Sequence, residues 1–157
     1  MKQNDWFDPF FVLENLSEED KLIKKNVMDF SNKVLRPIVI KDNRNHCFDK
    51  NIYKEFGNLG LLGSTIKGYG GGEASNTAYG LIAYEIEKID SSYRSSISVQ
   101  SSLVIHPIDT YGSNKQKEKY LPDLISGDKI GCFGLTESEA GSDPSSMKTT
   151  YKKDQDG

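Results

Sequence analysis

Ile130-Gly131-Cys132-Phe133-Gly134-Leu135-Thr136-Glu137-Ser138-Glu139-Ala140-Gly141-Ser142-Asp143 marks a change of texture in the chain. Its first half is short, apolar and glycine-spaced, the pattern of a strand, and from Glu137 it passes into a Gly-Ser loop. Met147 to Lys152 then alternates like a strand edge. On the other side of Gly127-Asp128 the apolar residues recur at helical spacing. Helices first and strands last predict a mainly α fold: a helical domain over 17–127, then the first strands of a β domain over 128–157. Such a β domain does not close within these residues, so the chain reads as cut at Gly157, with an open strand edge.

Working back from that junction, the helices carry local signals. Ser17-Glu18-Glu19-Asp20 is a capping box with Asp in the usual place of Glu or Gln, so a helix starts at Glu18. Leu22, Ile23, Val27, Phe30 and Val34 form its buried face, and Pro37 is expected to kink or end it, with Ile38 to Asn45 continuing helically. Phe48, Ile52, Tyr53 and Phe56 mark a short second helix closed by Gly57 and Gly60. Ser75 or Asn76 caps a third, with Ala78, Ile82, Ile86 and Ile89 on one face. A break is expected near Asp90-Ser91. Ser92 to Tyr111 reads as a fourth helix, small and polar before it turns apolar at Val104, Ile105 and Ile108, and Lys115 to Ile125 as a fifth. Gly68, Gly70, Gly71 and Gly72 lack the Lys-Ser/Thr of a phosphate loop and read as a permissive turn. Residues 1–16, with Trp6, Phe7, Phe10, Phe11, Val12 and Leu13, form an apolar arm that needs a partner surface.

Composition narrows the function classes. Of 157 residues, 36% are apolar and 27% charged, enough to bury a core and unlike a disordered chain. The net charge of -3, from 23 acids and 20 bases mixed along the chain, argues against nucleic-acid binding. No run approaches the roughly 18 apolar residues of a membrane helix. The acid-rich first twenty residues suit neither a signal nor a transit peptide, so a cytoplasmic location is expected. Cys47 and Cys132 are distant in sequence and expected to be reduced, packed thiols, with no metal site.

Two features can carry chemistry. Only Arg36, Arg44 and Arg94 are arginine, and no other base lies between Tyr93 and Asn114. Ser91, Ser92, Ser95, Ser96, Ser98, Ser101 and Ser102 surround Arg94, and Ser98 sits one helical turn from it. A guanidinium among hydroxyls suits a carboxylate or phosphate, with Glu87 holding it in place. The same spacing also fits an ion pair of Arg94 with Glu87 or Asp90 and serines that let two helices approach closely. The second feature is the loop itself, where backbone N–H groups and the hydroxyls of Thr136 and Ser142 can hold a polar ring edge or a phosphate. His46 and His106 have no acid or nucleophile beside them, so no hydrolytic triad can be assembled.

Phe133-Gly134-Leu135-Thr136-Glu137 with Ala140-Gly141-Ser142-Asp143 resembles the flavin-binding signature of the acyl-CoA dehydrogenase family. Gly60-Leu61-Leu62-Gly63, Asp90-Ser91-Ser92-Tyr93-Arg94-Ser95, Ser98-Val99-Gln100-Ser101-Ser102 and His106-Pro107-Ile108 are similar to its glutaryl-CoA branch, and the resemblance runs from Trp6 to Tyr151. It implies an enzyme of three parts, helical, β and helical, assembled as a homotetramer with FAD, of which this chain supplies the first part and the opening of the second. By the resemblance, Phe133, Leu135, Thr136, Gly141 and Ser142 contact FAD, with Ser142 also near the acyl-CoA thioester. Arg94 and Ser95, with Glu87 and Ser98, hold the distal carboxylate of glutaryl-CoA. The implied reaction is oxidative decarboxylation to crotonyl-CoA in lysine and tryptophan degradation, with electrons leaving to an electron-transfer flavoprotein. In a eukaryotic source the resemblance implies the mitochondrial matrix.

Ser138 stands where the family usually has proline. The catalytic glutamate is expected beyond Gly157, so no residue here is assigned as the catalytic base and the chain alone is expected to be inactive. The alternatives are another short-chain acyl-CoA dehydrogenase, or a truncated, non-catalytic helical module.

Overall fold

The computed structural model describes residue 8 and residues 10–152. Among them the chain folds as a helical domain built on local caps. Helix α1 (Glu18–Phe30) begins where Ser17 Oγ accepts the Asp20 amide, and α4 (Asn76–Glu87) where Ser75 Oγ accepts that of Ala78. The two caps are joined, because Ser75 Oγ also donates to Asp20 Oδ1 at 2.9 Å. α1 therefore lies against α4 from its first turn.

Two long rods form because neither proline ends its helix. After α1 the backbone widens through a π turn at Ser31–Leu35 and continues as α2 (Arg36–Arg44), with Pro37 in its first turn. The second rod runs through α5 (Ser91–Ser98), a π stretch at Val99–Ile105 and α6 (His106–Tyr111), with Pro107 in the same place. Proline removes one amide and crowds the carbonyl four residues back. At both sites the residue before the proline bonds five residues back, Arg36 to Ser31 and His106 to Ser101. The wide turn thus absorbs what would otherwise be a break.

Helix α3 (Ile52–Asn58) and α7 (Asn114–Ile125) complete the domain, the latter opened by a full capping box between Ser113 and Gln116. They meet backbone to backbone. A Cβ on Gly57 would lie 2.1 Å from Ser126 O, and one on Gly127, at φ +78°, equally close to Tyr53 O. No side chain fits either approach. Leu35, Phe56, Leu62, Ile86, Ile105 and Leu121 are sealed in the single core between these helices. One carboxylate joins them: Glu85, 2% exposed, takes Lys24 of α1 at 2.9 Å and Lys88 at 3.1 Å. The glycine-rich segment is a turn, closed by Glu73 N donating to Ile66 O at 3.2 Å and Ala74 N to Ser64 O at 2.8 Å.

The expected strands are not there. Among the described residues no β-strand forms, and Ile130–Thr136 and Met147–Lys152 run without a ladder partner. A single antiparallel bridge, Glu137 with Ala140, closes a turn. Alternation fixes which face a residue takes, but a strand exists only when neighbouring backbone pairs with it. Here a side chain takes that place: Glu137 Oε2 and Oε1 accept the amides of Lys148 and Thr149 at 2.8 and 2.9 Å. Those amides hold the Glu137 carboxyl below the usual glutamate range.

Smaller corrections follow from the same geometry. Leu22 faces solvent rather than the core, because the buried stripe of α1 narrows to Val27 and Phe30. Phe48 is half-exposed, set edge-on to Tyr53. Both cysteines are exposed, not packed: Cys47 lies in the turn after α2 and Cys132 on the unpaired segment. Phe10 and Phe11 are exposed ahead of a 3-10 turn at Val12–Asn15 tied to Asp8, while Trp6 and Phe7 lie outside the described residues. Among the described residues no helix is long and apolar enough to cross a membrane.

Candidate functional site

Asp90 divides α4 from α5 by capping the latter, its carboxylate accepting the Ser92 amide at 2.8 Å. The chain bends there, so Glu87 and Arg94, seven residues apart, come together by a corner rather than by two turns of one helix. Arg94 Nε donates to Glu87 Oε2 at 2.6 Å, and Ser91 Oγ donates to Glu87 Oε1. The Ser91 hydroxyl, then the Arg94 guanidinium, hold the Glu87 carboxyl below the ordinary glutamate range. The carboxylate stays charged and fixes the arginine.

Only Nε of Arg94 is committed. Its terminal nitrogens donate to no described residue, and the side chain is about one-third exposed, at 35%. The guanidinium lines an open cleft of ≈ 490 Å³ with Gly80, Ala83, Tyr84, Glu87 and Lys88. Small residues on α4 leave room, and the free fork is the group that takes a planar anion with two parallel hydrogen bonds.

The serine field divides. Ser95 and Ser98 are half-buried on α5, and neither hydrogen-bonds to Arg94. Ser96 bonds back to Ser92 O. Ser101 is buried and accepts the Gly63 amide at 3.0 Å, tying the glycine-led loop to the second rod. Ser102 pairs with Tyr79 at 2.9 Å beside a second cleft that includes Thr65, Asn76 and His106. Ser101 and Ser102 thus tie elements together, while Ser95 and Ser98 lie on the helix that carries Arg94.

The loop residues lie on the segment leaving α7. Phe133, Leu135, Thr136, Gly141 and Ser142 are all exposed, and none is hydrogen-bonded to Arg94. The amides of residues 132–136 donate to no described residue. What holds this segment is Gln100, a residue that patterning does not single out. Buried in the second rod, its Nε2 donates to Leu124 O at 2.9 Å and Lys129 O at 2.8 Å, and its Oε1 accepts the Gly131 amide at 2.9 Å. Gly131 lies against Val104, where a Cβ would come within 2.4 Å of a methyl group. Nothing in the sequence marks it, because Gln100 lies in the polar part of its helical stretch, beside Ser98, Ser101 and Ser102.

Comparison with known proteins matches this architecture. Residues 17–128 fit the family described as acyl-CoA dehydrogenase, N-terminal domain. An acyl-CoA dehydrogenase of Bacillus subtilis (strain 168) is 35% identical over 140 residues, 88% of this chain and 37% of that protein. A glutaryl-CoA dehydrogenase from Mycobacterium smegmatis, solved in complex with FADH2, superposes with a TM-score of 0.87 at 41% identity, over 90% of this chain and 36% of that one. Butyryl-CoA dehydrogenase from Megasphaera elsdenii gives 0.78 at 34% identity, over 86% and 36%. The chain spans little more than a third of the length of these relatives. By its helical domain and by these matches, the chain belongs to the acyl-CoA dehydrogenase family.

Proposed function

We propose that this chain is the N-terminal part of an FAD-dependent acyl-CoA dehydrogenase of the glutaryl type, which converts glutaryl-CoA to crotonyl-CoA and carbon dioxide. The observation that carries the reading is the free fork of Arg94, oriented through Nε by Glu87 in an open cleft. A neutral acyl tail has no use for a half-desolvated cation, whereas a dicarboxylic acyl tail brings the anion it lacks. Similarity to the glutaryl-CoA dehydrogenase of Mycobacterium smegmatis supports the same substrate.

In this reading Arg94 binds the distal carboxylate, Glu87 and Ser91 hold the guanidinium, and Ser95 and Ser98 on the same helix complete the polar wall. Phe133, Leu135 and Thr136 border the flavin ring, with Gly141 and Ser142 near its pyrophosphate and the thioester. These residues fit such a group: exposed apolar side chains alternate with amides that have no acceptor among the described residues. FAD, when bound, supplies the hydride acceptor. The base that removes the α-proton is assigned to a glutamate outside these 157 residues. Electrons then pass to an electron-transfer flavoprotein, and the whole enzyme is a homotetramer, in the cytoplasm or, in a eukaryote, the mitochondrial matrix.

The test is Arg94→Ala in the whole protein, assayed with glutaryl-CoA and butyryl-CoA. Loss of a charge-assisted bidentate contact lowers kcat/KM for glutaryl-CoA about a hundredfold and leaves butyryl-CoA within about threefold. Equal losses on both substrates overturn the carboxylate assignment and favour a short-chain, neutral acyl substrate.

A further inference from the structure

A cavity of ≈ 170 Å³ lies between α1, α4 and the loop over residues 59–74. Its walls share no residue with the Arg94 cleft or with the segment that leaves α7. Ile23 and Val27 come from α1, Ile82 from α4 and Leu61 from the loop, and no charged side chain lines it. Leu59 and Asn26, which also line it, are exposed, so the cavity can be reached from solvent.

The independent observation is Ser64. It is 2% exposed and stands in the wall of this cavity, yet its Oγ has no hydrogen-bond partner among the described residues. A buried hydroxyl without a partner is costly unless a bound group completes it. Ser64 also borders the cleft beside the Tyr79–Ser102 pair, but the serines there have partners of their own: Ser102 has Tyr79, and Ser101 has the Gly63 amide. The partner that Ser64 lacks therefore belongs on the side of the apolar walls. Size narrows what it can be. A lone water, at about 30 Å³, is too small for this space, whereas an apolar cavity of about 150 Å³ takes up a benzene-sized molecule. An ion would meet no counter-charge there. One buried hydroxyl among apolar walls thus selects a neutral, ring-sized molecule with one hydrogen-bonding group of its own.

We propose that the cavity between α1 and α4 binds a small neutral molecule with an apolar, ring-sized body and one hydroxyl, which hydrogen-bonds to Ser64 Oγ. The probes are phenol and benzene, which differ by that hydroxyl alone, titrated into the whole protein and followed by NMR. The expected result is saturable binding of phenol with a Kd of about 0.1–1 mM and of benzene about tenfold more weakly. Nuclear Overhauser effects from the phenol ring to the methyl groups of Val27 and Ile82 place it in this cavity.

Ser64→Ala removes the hydroxyl and keeps the walls. It weakens phenol about tenfold, to the level of benzene, and leaves benzene within about twofold. Ala74→Leu fills the cavity from its wall and abolishes binding of both probes. Cooperative thermal unfolding shows that each variant is folded, and where Ala74→Leu is not, the phenol–benzene difference and the Overhauser contacts in the parent decide. Failure of phenol to saturate, equal affinity for the two probes, contacts to other methyl groups, or unchanged phenol affinity in folded Ser64→Ala overturns the proposal.

Discussion

Glu87 Oε2 and Arg94 Nε meet at 2.6 Å across a corner, with Asp90 capping the helix that carries Arg94. The pair is an orienting contact, because it engages the one guanidinium nitrogen that does not belong to the terminal fork. Its charge state has a measurable signature. Ser91 and Arg94 lower the Glu87 pKa in the folded chain, so this contribution to stability is complete above the unfolded glutamate value. It is lost as pH falls from there through the lower folded value. A carboxyl-carbon NMR titration should place Glu87 below the ordinary glutamate value, and Ser91→Ala and Arg94→Ala should each move it up. A parent Glu87 titrating at the ordinary glutamate value contradicts this geometry.

Gln100 spans three backbone groups that have no other partner in the described contacts, two carbonyls and the Gly131 amide. Gln100→Leu leaves them unpaired in a buried place, at a cost of about 2–4 kcal/mol. The expected readout is local as well as global. Protection of the Gly131 amide against hydrogen exchange should fall much more than that of α1. Uniform loss of protection at both would mean that Gln100 supports the whole core rather than this segment.

Glu85 is the buried hub of a three-residue charge network reaching Lys24 on α1. Glu85→Leu leaves Lys24 partly buried without its partner and should destabilise by about 3–5 kcal/mol. The double variant Glu85→Leu, Lys24→Met should recover most of that, because the uncompensated charge is gone. Denaturant unfolding of the two variants and the parent measures the difference. No recovery in the double variant would show that Glu85 acts by packing alone.

What could be read from the sequence was what short stretches decide by themselves. Ser17 and Ser75 each mark a helix start, since a cap acts on amides two or three residues away, whereas Asp90 reads only as a break and its capping of the next helix shows in the structure. Arg94 stood out by its isolation among serines, and Glu87 by its spacing. Gln100 and Glu85 did not, because their partners lie on other elements and a polar side chain in a core carries no periodic signal. The strands failed for a related reason: residues 130–136 have the composition of a strand, but pairing depends on a neighbour that composition does not report. The cysteines were placed inside by the burial habit of free thiols, which says nothing of a particular turn.

The wide turns before Pro37 and Pro107 have a consequence for how sequence maps onto surface. An extra residue accommodated without an extra turn sets every later side chain back by about 100° around the axis relative to an unbroken α-helix. Each rod is therefore two helices in angular offset, and one helical wheel drawn along its whole length assigns faces wrongly past the junction. In the second rod that offset separates Arg94, upstream, from Val104, Ile105 and Ile108, downstream. One continuous rod can then turn its cationic side toward the cleft and still present its apolar residues to the core.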